Sequence, residues 1–252
     1  MTAGIVAFGA YIPRRRLQRK VIAETHGWFN PGLAGLAKGE RAMANWDEDA
    51  VTMAVEAARD CLGSRDRASL QSLRLASTTF PFVDRLHAGL VGDALSLGPD
   101  VRTSDVSATQ RAGTSALLDA LSSADESLVI ASENRRTKAA SPMEMASGDG
   151  AAALLTGSKN VIAKLIGKAS GSADFVDHFR SMDNTFDYQW EERWVRDAGY
   201  MKIVPPVIAR CLAAANVKPE DVGTFILPST IRGVAAAVAE AAKIADTAVA
   251  DA

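Results

Sequence analysis

The sequence predicts an α/β protein, because short apolar runs alternate along the chain with segments of helical periodicity. The chain has 252 residues, of which 48% are hydrophobic and 23% charged, as in ordinary globular proteins that bury a sizeable core. Strands are predicted at residues 5–8, 73–76, 101–107, 128–132, 151–155 and 224–227.

Helices are predicted between most of these strands. Asp47-Glu48-Asp49 precedes apolar residues spaced along one helix face over 51–62, and acids favour a helix N-terminus. Residues 112–121 are small or apolar nearly all round, which predicts a central helix buried on every side. Two further helices are predicted at 205–215, with Pro205 and Pro206 in its first turn, and at 231–244.

The charge balance argues against nucleic acid or an anionic membrane as a general partner, since the chain has 28 basic and 30 acidic residues. The apolar runs are shorter than the roughly 20 residues that span a bilayer. The N-terminus lacks the basic region of a secretory signal, so a cytoplasmic protein is expected. Cys61 and Cys211 stand far apart in helical runs and outside any CxxC pattern, which predicts neither a disulfide framework nor a metal site.

Common catalytic motifs are missing from the sequence. It has no phosphate-binding P-loop, no GxGxxG dinucleotide motif and no GxSxG nucleophile elbow. Among the three histidines, none has a second histidine or a cysteine at a metal-ligand spacing. His26, His87 and His178 are therefore predicted to be surface or capping residues, with His178 the best candidate base because it lies in an aromatic segment.

Three other segments stand out, and two of them have alternative interpretations. Arg14-Arg15-Arg16 is either a solvated patch or a phosphate contact. Gly148-Asp149-Gly150 predicts a tight turn before a central strand, since glycine adopts positive φ without strain. In residues 175–200, aromatic and charged side chains interleave, which is typical of a cap, a binding lid or an interface, or else of a connector on the surface.

Residues 105–117 are the best candidate site. A strand there enters a turn and then the helix predicted at 112–121, whose N-terminus offers backbone N–H groups and the positive end of the helix dipole. Such a turn is suited to a nucleophile or an oxyanion site, and the alternative is a turn that serves packing only.

Four segments together resemble one known family. They are residues 4–13, residues 47–58, Arg111-Ala112-Gly113-Thr114-Ser115-Ala116-Leu117, and Ser147-Gly148-Asp149-Gly150-Ala151-Ala152-Ala153. In order and spacing over most of the first 165 residues they resemble the thiolase superfamily, in its branch of 3-hydroxy-3-methylglutaryl-CoA (HMG-CoA) synthases that is similar to ketoacyl-ACP synthase III. The resemblance implies a thiolase-like layered α/β fold, with a complete first half at 1–165 and an aromatic connector plus an incomplete second half at 166–252.

The resemblance also shows where the chain departs from its family. Gln110 stands where the family has its nucleophilic cysteine, and an amide cannot act as a thiolate. Thr78 stands at the place of the family's glutamate acid/base, and no histidine occurs at 225–229 where one is expected. The implied site therefore has Gln110 and Thr78 at the catalytic positions. The implied substrate-binding residues are Arg111, Gly113, Thr114 and Trp190.

By resemblance the ligand is an acyl-CoA or acyl-carrier thioester, with no tightly bound cofactor. The implied activity makes or breaks a carbon–carbon bond without a cysteine, by retro-aldol cleavage or by decarboxylation of a malonyl thioester. The alternative is a non-catalytic paralogue that supports an active complex, and a cysteine-dependent acyltransferase ranks last. The implied assembly is a homodimer, or a heteromer with a thiolase-like protein or an OB-fold protein that carries a zinc ribbon.

Overall fold

A computed structural model describes residues 3–123 and 125–250 and divides the chain into two compact units. Unit 1 lies within Met1–Arg135 and Ala139–Leu165, and unit 2 within Arg136–Lys138 and Ile166–Ala252. The elements of unit 1 are β1 (Gly4–Tyr11), β2 (Arg15–Gln18), α1 (Arg19–His26), a 3₁₀ helix (Pro31–Leu36), β3 (Glu40–Met43), α2 (Ala50–Leu62), β4 (Ser72–Ala76), α3 (His87–Ala94), β5 (Arg102–Val106), α4 (Ala112–Leu121), β6 (Ser127–Glu133), α5 (Pro142–Ala146), β7 (Gly150–Gly157) and β8 (Ala163–Lys164).

Unit 1 is built on a six-stranded sheet in the order β5-β4-β6-β7-β1-β8. β4 pairs in parallel with both β5 and β6, whereas β7 is antiparallel to β6 and to β1. The five strands predicted within the first 155 residues are therefore confirmed. The core on one face of the sheet combines α2 and α3 with Leu73, Leu75, Leu128 and Ile130.

Helix α2 confirms the amphipathic helix predicted after the acidic run. Asp49 is its N-cap, because its Oδ1 accepts hydrogen bonds from the Val51 and Thr52 amides at 2.9 and 2.8 Å. The Thr52 hydroxyl in turn accepts from the Asp49 amide at 2.8 Å, which completes a capping box. The face that packs on the sheet is buried and includes Met53, Ala54, Ala57, Ala58, Cys61 and Leu62.

Strand β1 lies unusually close to α2 at Gly9. A Cβ atom at this position would be 2.6 Å from the Ala57 carbonyl oxygen and 2.7 Å from the Cys61 Cα. Both atoms belong to the backbone of α2, so the helix has no flexible group that can move aside. Glycine at this position therefore sets the distance between the helix and the sheet.

The prediction that the helix at 112–121 is buried on every side is wrong. Helix α4 has the predicted bounds, but only its residues Ala112, Ala116 and Ala120 are buried. Ala116 and Ala120 pack with Val129 of β6. Leu117, Leu118 and Leu121 are half-buried. The physical reason is that the three buried alanines lie four residues apart on one face of the helix, and packing against a single sheet is enough to bury that face. In the part of the chain that the structure describes, α4 therefore has one packed face.

The predicted positive-φ turn at Gly148-Asp149-Gly150 is also wrong. The described glycines with positive φ are Gly39, Gly63 and Gly233. Instead the segment is hydrogen-bonded to β3 and to the residue that follows it. The Asp149 amide donates to the Ala42 carbonyl at 3.2 Å, and Asp149 Oδ2 accepts from the Ala44 amide at 2.8 Å. Asp149 is only 8% exposed, and burial raises the pKa of its carboxyl group.

Unit 2 contains small elements and two longer helices. Its elements are β9 (His178–Phe179), β10 (Tyr188–Gln189), α6 (Glu192–Trp194), a π-helical turn (Val195–Tyr200), α7 (Met201–Ala215), a 3₁₀ helix (Pro219–Asp221), α8 (Val234–Ala241) and a 3₁₀ helix (Asp246–Ala248). No helix in residues 3–123 and 125–250 is long and apolar enough to cross a membrane.

Three predictions for unit 2 need correction. Pro205 and Pro206 lie inside α7 and not in its first turn. The reason is that the π-helical turn continues directly into α7, so the helix has already begun before the two prolines, which lack an N–H. The strand predicted at 224–227 is reduced to a single bridge, in which Phe225 pairs in parallel with Val249. The helix predicted at 231–244 is shorter, because Gly233 precedes it in a left-handed conformation.

We expect Gly9→Ala to destabilise the protein by about 3 kcal/mol, since the added methyl group meets the backbone of α2. Urea unfolding of both proteins measures this difference. Gly35→Ala is the matched control, because no described atom lies within 4 Å of its Cβ position. Its effect should stay within about 0.5 kcal/mol, and an equal loss in both variants would contradict the close approach.

We expect Asp149→Asn to change the pH dependence of stability. A carboxyl whose pKa is raised by folding favours the native state most when protonated, so the wild type should lose stability relative to the variant as pH rises above about 4. Unfolding curves from pH 4 to 7 test this. Asp47→Asn, at an exposed position, controls for the loss of one charge, and a constant difference across this range would refute the prediction.

Candidate functional site

A cavity of about 460 Å³ lies in unit 1. It is bounded by the first turns of α4, the C-terminal ends of β4 and β6, and the beginning of β7. The apolar residues of its wall include Ala76, Ala112, Leu117, Val129, Ala131 and Leu154, and its polar residues are Ser77, Gln110, Thr114, Ser132 and Glu133. The cavity is therefore a mainly apolar space with polar groups at the strand ends.

The turn before α4 brings Gln110 to this cavity. Ala108 has a left-handed backbone with φ of 66°, and the Ala112 amide closes the turn on the Thr109 carbonyl at 3.0 Å. Gly113 then allows α4 to begin close to β6, because a Cβ at Gly113 would be 3.1 Å from the Ala131 Cβ. The helix N-terminus predicted as a site is thus part of the cavity wall.

The structure brings together three of the residues implied by the resemblance, since Gln110, Gly113 and Thr114 all line the cavity. The Thr114 hydroxyl donates to the Arg111 carbonyl at 3.0 Å. Arg111 is the exposed residue just before α4 and is not among the residues that line the cavity.

Thr78 is bound to a carboxylate that the sequence reasoning missed. Glu133, the last residue of β6, accepts from the Thr78 amide at 2.7 Å and from the Thr78 hydroxyl at 3.0 Å, both through Oε1. Its Oε2 accepts from the Thr79 hydroxyl at 2.9 Å. Arg135 Nη2 donates to the Thr78 hydroxyl oxygen at 2.7 Å. The acidic group of the cavity therefore comes from β6, next to the strand on which the resemblance placed it.

A signal for Glu133 was present in the sequence. Because β4 and β6 are parallel neighbours, the residues that follow their apolar runs meet at one edge of the sheet. Glu133 directly follows the run predicted at 128–132, as Ser77 and Thr78 follow the run at 73–76. Pairing the two strand ends would have identified the carboxylate.

No protein-family model matches the sequence. Among solved structures, 3-oxoacyl-(acyl carrier protein) synthase III from Pseudomonas aeruginosa PAO1 is similar with a TM-score of 0.85 and 17% identity, over 100% of this chain and 83% of that chain. An HMG-CoA synthase complexed with CoA is similar with a TM-score of 0.76 and 20% identity, over 90% of this chain and 60% of that chain. The fold is thiolase-like. The predicted fold class is thus confirmed.

Sequence comparison gives the same assignment for this thiolase-like chain. It is 27% identical over 230 residues to the hydroxymethylglutaryl-CoA synthase of Methanocaldococcus jannaschii, and 29% identical over 232 residues to that of Thermococcus onnurineus. These alignments cover 87% and 88% of this chain but only 66% and 63% of the relatives. The chain is homologous to HMG-CoA synthases, as the resemblance implied, and spans just under two thirds of their length.

His87 corrects the prediction that the histidines are surface or capping residues. It is 2% exposed and stacks on Phe80 with ring centroids 4.2 Å apart. Its Nδ1 lies 2.8 Å from Asp105 Oδ2, and its Nε2 accepts from the Phe82 amide at 3.3 Å. Asp105 also accepts from the His87 and Ala88 amides at the start of α3. In the thiolase-like fold this pair therefore fixes α3 against the end of β5.

Trp190 belongs to unit 2, whereas the residues that line the cavity belong to unit 1. Trp190 is 46% exposed and lies between Tyr188 and Trp194, with centroid distances of 5.9 and 5.8 Å. His178 precedes this aromatic row and lies 2.8 Å from Asp177 through its Nδ1. The substrate-binding role of Trp190 stays a prediction.

The arginine run of the thiolase-like chain begins just before β2, and Arg14 and Arg15 are exposed. Arg16 pairs with Glu40 at 3.4 Å. None of the three is among the residues that line the cavity, so the phosphate contact also stays a prediction. Within the described residues, no group of three or more histidine, cysteine or acidic side chains is placed to hold a metal ion.

We expect Asp105→Ala to lower stability by about 3 kcal/mol, because α3 loses its cap and the buried His87 ring loses a partner. Urea unfolding gives the value. Asp100→Ala removes the same side chain from an exposed position before β5 and should change stability by less than about 0.5 kcal/mol. A small loss in Asp105→Ala would show that the carboxylate does not hold α3.

Proposed function

We propose that this thiolase-like protein binds an acyl-CoA or acyl-carrier thioester in the cavity beside α4. We further propose that it makes or breaks a carbon–carbon bond next to the thioester without a cysteine nucleophile. The observation that carries the proposal is the meeting of Gln110, the N-terminus of α4 and a carboxylate in one apolar cavity. Support also comes from the sequence relatives, which are named hydroxymethylglutaryl-CoA synthases, and from a structural neighbour described as an HMG-CoA synthase complexed with CoA.

The N-terminus of α4 is suited to an oxyanion. The first N–H groups of a helix have no acceptor within the helix, and the helix dipole is positive there. Gln110 adds an amide that can donate a hydrogen bond but cannot attack a thioester. Both features favour stabilisation of the negative oxygen of a thioester enolate over formation of an acyl-enzyme.

Two reactions of the proposed type pass through such an enolate. In retro-aldol cleavage of a 3-hydroxyacyl thioester, the hydroxyl loses its proton, C3 becomes a carbonyl and the C2–C3 bond breaks. The electron pair of that bond forms the enolate at C2, which then takes a proton. In decarboxylation of a malonyl thioester, CO₂ leaves C2, its bonding pair forms the enolate, and C2 again takes a proton.

The second candidate function is a non-catalytic paralogue that supports an active complex. It is favoured by the Thr78 hydroxyl, which is engaged with Glu133 and Arg135 and is a poor acid or base at neutral pH. In either case we propose a cytoplasmic homodimer, or a heteromer with a thiolase-like or zinc-ribbon OB-fold protein. Light scattering of the purified protein, alone and mixed with such a partner, tests the assembly.

We expect the protein to bind acetyl-CoA and 3-hydroxybutyryl-CoA in calorimetric titrations, and to release acetyl-CoA from the latter. Gln110→Ala should keep thioester affinity within a few-fold but slow turnover by about a hundredfold, the usual effect of losing an oxyanion donor. Gln18→Ala is the control, because it removes the same amide from an exposed position on β2.

The outcomes separate the two functions. Binding without turnover of 3-hydroxyacyl or malonyl thioesters, with or without the partner, favours the paralogue. Failure of the wild type to bind any CoA thioester contradicts the proposed function as a whole. Equal turnover in Gln110→Ala and the wild type contradicts the role given to the amide.

A further inference from the structure

Glu133 faces the cavity because of the two-residue period of its strand. Val129 packs with α4, and Ala131 lies opposite Gly113 on the same side of β6. Glu133 is the next residue of this series, is partly exposed and lines the cavity. It is also the only carboxylate among the described residues that line this cavity.

Glu133 accepts fewer hydrogen bonds than its two carboxylate oxygens have the capacity for. Three hydrogens reach the carboxylate, from the Thr78 amide, the Thr78 hydroxyl and the Thr79 hydroxyl. The Thr78 hydroxyl is shared between Oε1 at 3.0 Å and Oε2 at 3.1 Å. An ionised carboxylate has about four acceptor sites. One site is thus left for a hydrogen that a ligand brings.

The neighbouring hydroxyls cannot turn this end of the cavity into a hydrogen-bond donor while Glu133 is ionised, because the carboxylate only accepts hydrogen bonds. The single hydrogen of Thr79 points to Glu133, so Thr79 receives its other bonds, from the Asn134 amide at 2.9 Å and from the Ser77 hydroxyl at 3.2 Å. This end of the cavity therefore presents an acceptor, and it suits a ligand group that donates.

We propose that Glu133 is a specificity-determining residue, and that the cavity takes thioesters whose acyl group carries a hydroxyl in preference to those that carry a carboxylate. A hydroxyl donates to the remaining acceptor site, and hydrogen bonds to charged groups are the stronger kind. A malonyl carboxylate brings a second negative charge and no hydrogen. The positive charge of Arg135, whose Nη2 donates to the Thr78 hydroxyl oxygen at 2.7 Å, offsets part of this repulsion. It does not turn Glu133 into a hydrogen-bond donor.

This inference rests on the proposed function and distinguishes between its two reactions. A hydroxyl-selecting cavity is matched to retro-aldol cleavage of a 3-hydroxyacyl thioester. It is poorly matched to decarboxylation, whose substrate has a carboxylate at the position in question.

The test is calorimetric titration with 3-hydroxybutyryl-CoA, butyryl-CoA and malonyl-CoA, which differ only in the acyl group. The wild type should bind the hydroxyl compound about tenfold more tightly than butyryl-CoA, and malonyl-CoA least well. Glu133→Gln should reduce the preference over butyryl-CoA to about threefold or less and should bind malonyl-CoA more tightly than the wild type does.

Glu126→Gln is the matched control, because it makes the same change just before β6, at the other end of the strand from the cavity. It should leave all three affinity ratios unchanged. A preference for the hydroxyl that stays at about tenfold in Glu133→Gln overturns the inference. So does a wild type that binds malonyl-CoA as tightly as 3-hydroxybutyryl-CoA, and this second outcome needs no variant to fold. A wild type that binds none of the three overturns the proposed function itself.

Discussion

Carboxylates at one edge of the sheet hold the loops of unit 1 in place. Asp105 near the end of β5 accepts the first amides of α3, Glu133 at the end of β6 accepts the Thr78 amide, and Asp149 before β7 accepts the Ala44 amide. β7 runs against β6 and pairs Gly150 with Glu133, so its beginning lies at the same edge as their ends. Three backbone segments are thereby fixed by charge-assisted hydrogen bonds, which exceed neutral ones in strength.

This arrangement explains why the cavity has a defined shape although its wall is mostly apolar. The apolar wall is formed by small side chains such as Ala76, Ala112 and Ala131, which leave space, while Gly113 lets α4 approach β6 closely. The polar side of the cavity is set by the turn after β4, which Glu133 holds through two consecutive threonines. Packing thus makes the space, and hydrogen bonding fixes its chemistry.

The sequence predicted the elements well wherever the signal was local. The bounds of α4 and the amphipathic helix α2 after its acidic run follow from residues within a few positions, and the structure confirms both. The Asp105 and His87 pair could not be predicted in this way, because it joins residues 18 positions apart through the packing of α3 on β5. The incomplete burial of Leu117 has a similar origin, since composition shows that a helix can be buried but not which layers cover it.

The pairing of β1 with β7 has a consequence for biosynthesis. Gly4 pairs with Gly157 and Tyr11 with Ala151, so the two strands are about 140 residues apart in the chain. At roughly 5–20 residues per second on the ribosome, β1 waits about 7–30 s for its partner. During that time an apolar strand with free edges is open to pairing with other chains. The first strand is therefore a part of unit 1 at risk of misassociation while the chain is being made.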